Sequence, residues 1–193
     1  MKNRSYSTEG VILARRNQGE ADRFLTIFTK HYGKVRVIAK GIRKTTSRKK
    51  GALELFSYVR FFAAYGRNMD IVTEVEIKNS FNTWREDLTK VAIAYHLVEI
   101  VNRLTAEKQE NREVFEELVE ALERLGKLDY WAIHPFVQTF KVRILEELGF
   151  IERGRPIPGN LDAYIEHLID GKLRTNKFLA QINEFVSNGT KLP

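Results

Sequence analysis

The apolar residues change period once, near Ser80, and that change dictates a chain built in two parts. Residues 8–78 hold short runs rich in β-formers between turn residues, with no stretch of helical period. The clearest run sets Val35, Val37 and Ala39 against Lys34, Arg36 and Lys40, so one strand has an apolar face and a cationic one. Residues 11–16 and 23–29 read as the strands before it, and His31-Tyr32-Gly33-Lys34 as the turn between hairpin partners. Residues 53–65 read as one long, bent strand ending at Gly66-Arg67-Asn68. A last strand alternates Ile71, Thr73, Val75 and Ile77 against Asp70, Glu74 and Glu76. Five strands in about 70 residues predict a small closed or nearly closed barrel.

Beyond Ser80 the spacing becomes helical. Leu88, Val91, Ala92, Tyr95, Val98, Val101 and Leu104 mark one face of a long helix. Asn111 is placed to cap a second helix through Phe115, Leu118, Leu122 and Leu125, which stops at Gly126. Residues 131–148 supply a third, with Pro135 near its start and Gly149 past its end. Residues 152–160 form a linker-like break, and two shorter helices are expected near 161–170 and 176–187. The expectation is an α+β two-domain chain: a five-stranded β-barrel over residues 1–80 and an all-α helical domain over 81–193.

Charge follows the same division. Residues 1–80 hold 17 basic and 7 acidic side chains, a net of +10, whereas residues 81–193 hold 15 and 18, a net of −3. Cations interleaved with strand-patterned apolar residues on one small unit point to a polyanionic partner. Arg15, Arg16, Arg23, Lys34, Arg36 and Lys40 can line one barrel face or rim, and the loop from Arg43 adds Lys44, Arg48, Lys49 and Lys50. Eight aromatic rings are interleaved with them: Phe24, Phe28, Tyr32, Phe56, Tyr58, Phe61, Phe62 and Tyr65. Most should fill the barrel. Tyr32 and Tyr58 are expected at the surface as base-stacking residues, because their polar tips tolerate water.

The search for catalytic chemistry returns little. The absence of cysteine removes disulfides, thiol catalysis and cysteine-based zinc sites. His31, His96, His134 and His167 stand far apart, none at metal-ligand spacing from another, and no phosphate-loop, dinucleotide or hydrolase motif occurs. Glu20 and Asp22 are the only close carboxylates in the basic region. They read as turn residues paired with Arg15, Arg16 or Arg23 rather than as metal ligands. No catalytic residue, cofactor or metal is therefore expected. The opening MKNRSYSTEG has no apolar signal core and no run approaches a membrane span, so a cytoplasmic protein is expected, with no membrane partner.

Gly10-Val-Ile-Leu-Ala-Arg15-Arg16, Gly19-Glu20-Ala21-Asp22-Arg23, Thr29-Lys-His-Tyr-Gly33-Lys34, Ala39-Lys40-Gly41-Ile-Arg43 with Ser47, and Leu53-Glu-Leu-Phe56-Ser together resemble the N-terminal half of the bacterial RecO recombination-mediator family. Leu145-Glu-Glu-Leu148-Gly149-Phe150 resembles its helical half more loosely. The resemblance implies an OB-fold barrel followed by a helical domain. It implies binding of single- and double-stranded DNA, strand annealing, and help in loading RecA onto DNA coated by single-strand-binding protein. RecR and the acidic C-terminal tail of the single-strand-binding protein are the partners it implies. For the tail, Arg85, Arg112, Lys141 and Arg143 are candidates as basic residues beside apolar helix faces. Many family members carry a four-cysteine zinc module after the Leu-Gly-Phe segment; here residues 151–160 are cysteine-free. Two other readings of the residues stay open: a non-catalytic RNA-binding or ribosome-associated adaptor on the same barrel, and a phosphodiester-cleaving enzyme using Glu20 and Asp22.

Overall fold

The structure, a computed structural model, describes residues 4–44, 51–154, 156, 159–177 and 179–180. Five strands, β1 (Ser5–Gln18), β2 (Asp22–Thr29), β3 (Gly33–Ala39), β4 (Tyr58–Ala64) and β5 (Asp70–Asn79), close into a barrel in the order β1-β2-β3-β5-β4. All neighbours are antiparallel except β3 and β5, which pair in parallel through Val37 with Asp70 and Ile38 with Ile71. This order and its single parallel pair are those of an OB-fold. Alternation sends Ile12, Leu25, Ile27, Val35, Val37, Val59, Phe61 and Val72 into the interior.

The structure corrects two strand expectations. The first strand is longer than residues 11–16, and the fourth begins at Tyr58 instead of near Leu53. Phe56 has φ 70°, a left-handed conformation that stops an extended run. The segment before it serves as a plug. Ile42 and Leu53 are fully buried against the barrel core, and the crossing is fastened by Phe56 N donating to Ile12 O (2.9 Å) and Ile12 N to Ser57 O (3.1 Å).

After a short 3-10 turn (Asn82–Trp84) come the helices α1 (Leu88–Leu104), α2 (Arg112–Leu125), α3 (Tyr130–Glu147) and α4 (Leu161–Leu168). Of the expected last helix, residues 175–177, 179 and 180 are helical, and 178 and 181–187 lie outside the described residues. The compact units do not follow the sequence break at Ser80. Residues 105–119 pack with 1–81 in the barrel unit, and 82–104 with 120 onward form the helical unit. Within the helical unit Trp84, Leu97, Leu122, Phe140 and Ile144 are buried, and Trp84 Nε1 donates to Leu122 O at 2.8 Å. Among the described residues no helix is long and apolar enough to cross a membrane.

His96 is fully buried in this unit. Thr175 Oγ1 donates to Glu99 (2.6 Å), so at 2.7 Å from His96 it accepts a hydrogen bond from the Nδ1–H, and Nε2 is the unprotonated nitrogen of the neutral ring. Burial, reinforced by the Lys141 ammonium, pulls the imidazole pKa down to about 4. The sign follows directly: above the unfolded value near 6.5 both states are neutral, and between there and about 4 the unfolded chain alone takes up the proton, so stability falls with falling pH. In an NMR titration the His96 ring should hold its neutral signature until pH about 4.

The glycine at the turn between β2 and β3 is tested by its surroundings. Gly33 has φ 61°, and a Cβ there would sit 2.0 Å from Gln109 O; Gly19 has φ 55° but open space around it. Gly19→Ala should cost about 1 kcal/mol, the left-handed backbone penalty. Gly33→Ala should cost well over ~2 kcal/mol, the backbone penalty plus an overpacking clash, read as a lower urea midpoint at unchanged m-value.

Candidate nucleic-acid interface

The outward residues of β1, β2 and β3 build a basic concave surface on the barrel unit. A register shift between Ile12 and Ala14 in β1 precedes Arg15 and Arg16, both exposed. On β2 the parity that buries Leu25 and Ile27 turns Phe24 and Thr26 outward, and on β3 it turns Arg36 outward. These residues, with Met69 from the loop between β4 and β5, line a shallow groove of about 380 Å³. Three guanidinium groups and one half-buried aromatic ring share it, and no carboxylate is among its lining residues. In OB-folds the β2–β3 face and the loops β1–β2 and β4–β5 are where oligonucleotides bind.

The predicted cations differ in how they are held. Arg23 is buried, and its guanidinium donates to Glu54 at 3.1 Å and to Asn17 at 3.3 Å. Burial, then repulsion from Arg15 and Arg43, lowers its pKa, yet it remains a cation. Arg15 pairs with the same Glu54, so one carboxylate fixes the spacing of two arginines. Lys34 donates from Nζ to Thr105 O at 2.8 Å, and Arg36 pairs with Glu107 at 2.6 Å. Arg43 reaches Gly19 O at 3.0 Å, tying the segment after β3 to the β1–β2 turn. Arg16, Lys40 and Lys44 are exposed. Among the described residues Arg16 and Lys40 have no ion-pair partner. Arg48, Lys49 and Lys50 lie outside the described residues. Asp22 is not paired with an arginine as expected; it accepts from Gly41 N at 2.8 Å, a bond that shapes the turn after β3.

The rings are only partly as expected. Tyr32 is exposed, its ring 4.8 Å from that of Tyr6. Tyr58 is half-buried: its hydroxyl donates to Glu9 at 2.5 Å and its ring meets Phe115 at 5.9 Å. Phe62 and Tyr65 are exposed instead. Phe24, named among the rings but not as one expected at the surface, lines the groove, as do Ala14, Thr26 and Met69, which sequence reading did not single out as site residues. Parity could have found Phe24, two positions from Thr26 and opposite to Leu25. Met69 reaches the groove through the turn at residues 65–69; the Gly66-Arg67-Asn68 pattern announces that turn but not the side chain's direction.

The four basic residues expected near a partner's tail are each held differently. Arg112, in the barrel unit, pairs with Glu116 at 2.9 Å one turn along α2. In the helical unit, Arg85 lies over the Trp84 ring at 5.7 Å and Arg143 is exposed on α3. Lys141 is buried, its ammonium 2.5 Å from Asp162 at the wall of a cavity of about 340 Å³ lined also by Ile93, Ile133 and Val137. Among the described residues no group of three or more histidine, aspartate or glutamate side chains could hold a metal ion.

Residues 1–81 match the family model described as "Recombination protein O N terminal", and residues 85–151 match "Recombination protein O C terminal". A "DNA repair protein RecO" of Roseiflexus sp. (strain RS-1) is 38% identical over 150 residues, covering 78% of this chain and 52% of that protein. One from Symbiobacterium thermophilum is 34% identical over 145 residues, covering 75% and 57%. One from Alkaliphilus metalliredigens is 36% identical over 142 residues, covering 74% and 57%. The chain spans about half the length of the curated relatives it matches.

The Lys141–Asp162 pair separates a structural role from an accessible one. Lys141→Met keeps the volume and removes the buried charge, so its stability should change by less than ~1.5 kcal/mol. Asp162→Asn leaves the ammonium buried without a counter-charge and should cost more, about 2 kcal/mol once the partial exposure of Asp162 is discounted. Chemical denaturation of the two variants ranks them.

Proposed function

The chain belongs to the recombination protein O family, and on that premise we propose that it is a non-catalytic DNA-repair mediator. In this reading the barrel binds single- and double-stranded DNA, promotes annealing of complementary strands and assists RecA loading on strands coated by single-strand-binding protein. RecR and the acidic tail of the single-strand-binding protein are its proposed partners. The observation that carries the reading is the groove on β1, β2 and β3, where Arg15, Arg16 and Arg36 surround Phe24 at the place OB-folds use for oligonucleotides.

The physical work is neutralisation. Two strands approaching each other repel through their phosphates, and cations fixed along one face lower that repulsion while leaving base edges free to pair. Phe24 contributes differently. A base can stack on a half-exposed ring whatever its identity, which favours unpaired strands without reading sequence. Nothing in this scheme needs a covalent step.

Charge and stacking are separable by experiment. Binding of a labelled single strand that neutralises about 4–6 phosphates should give a log–log salt slope of about −3 to −4. Arg16→Ala should make the slope shallower by about 0.7, the loss of one phosphate contact. Phe24→Ala should weaken binding by about 1–3 kcal/mol with the slope unchanged. A flat salt response of the unaltered protein would reject the reading.

A further inference from the structure

We propose that Thr105–Val119 is a built-in competitor for the nucleic acid, with Glu107 the residue that limits how firmly Arg36 can hold a phosphate. The proposal rests on reading the groove as a phosphate track, and it concerns how that track is regulated.

The segment is acidic: Glu107, Glu110, Glu113, Glu116 and Glu117 stand against Lys108 and Arg112. It is fastened to the barrel by bonds that do not depend on those charges. Lys108 N donates to Lys34 O at 3.0 Å, and Lys34 Nζ to Thr105 O at 2.8 Å. The backbone of Gln109 approaches Gly33 so closely that no other residue fits there. Phe115, 2% exposed, packs beside Phe28 and Tyr58 with ring centroids at 6.3 and 5.9 Å. Thus anchored, the segment presents three carboxylates to three barrel bases: Glu107 to Arg36 at 2.6 Å, Glu110 to His31 at 3.5 Å and Glu116 to Lys30 at 3.6 Å.

The anchors and the ion pairs differ in strength. Phe115 is buried and, with the close approach of Gln109 to Gly33, holds the segment in register. The Arg36 and Glu107 side chains are 66% and 45% exposed, so their pair opens at little cost. Arg36 alone of the three bases also lines the groove. A phosphate arriving there exchanges with a carboxylate that stays tethered nearby and can return. The gain from that contact is therefore a difference between two charge pairs. A strand is held loosely at this point, as it must be if paired product is to leave.

The test is a salt titration of a labelled single-stranded oligonucleotide with the full chain and four variants. Glu107→Gln removes the charge at nearly constant shape. It should tighten binding by roughly two- to fivefold at about 0.1 M salt and steepen the log–log slope by about 0.7, one more phosphate fully neutralised. In an Arg36→Ala background the same change should leave the slope unaltered, because the contested cation is gone. Glu113→Gln, an equal change of net charge on the same segment, should also leave the slope unaltered. Three outcomes overturn the proposal. Equal slopes for Glu107→Gln and the unaltered chain would do so with the binding reading intact. An effect of Glu107→Gln that persists without Arg36, or is matched by Glu113→Gln, would reduce Glu107 to bulk charge. No salt-dependent binding by any form would remove the binding reading and this proposal together.

Discussion

Two-residue alternation along β3 and from Asp22 to Ile27 of β2 is the constraint on which both the core and the basic surface depend. The same parity that closes the interior over Leu25, Ile27, Val35 and Val37 leaves Phe24, Thr26 and Arg36 no direction but outward. Slipping one residue would bury a guanidinium and expose four aliphatic side chains. The interior thus enforces the location of the groove, and the surface charges need no separate folding instruction. The parallel pairing of β3 with β5 completes the closure and brings the β4–β5 turn, with Met69, round to the same side.

Cations on that surface are not equivalent. Glu54 holds Arg15 and Arg23 together; Arg23 is nearly buried and acts as a spacer, whereas Arg15 remains at the groove. Arg16 and Lys40 project without an ion-pair partner among the described residues, and Arg36 shares its charge with Glu107. Net charge in a segment sets long-range attraction. Local partners decide which cations can exchange one anion for another, and the +10 of the first 80 residues overstates that number.

Much of the fold could be read from residue order, since alternation and helical spacing are local properties. The five strands, the third helix and the shift at Ser80 are all cases of this. The extent of the fourth strand was not readable, because Phe56 adopts a left-handed φ that its side chain gives no reason to expect. Nor was the docking of residues 105–119 onto the barrel, which depends on a close approach at Gly33 from more than seventy positions away. The same applies to the site. Which residues are cationic is plain from composition. That Tyr58 is engaged by Glu9, that Lys141 is sunk beside Asp162, and that Arg36 has a carboxylate neighbour are long-range facts.

The helical unit carries a further lesson at Glu99. Burial opposes its charge, but hydrogen bonds from Thr175 and from the Arg174 and Thr175 amides hold its pKa below the ordinary value. Those donors come from a stretch that looks expendable, well past the last long helix. Trimming the chain ahead of Arg174 would take three donors from the half-buried Glu99 carboxylate and the Nδ1 partner from the fully buried His96 imidazole. The short stretch from Leu173 to Thr175 is thus a fitted stopper for the interior of this unit, and boundaries chosen for expression should be drawn beyond it.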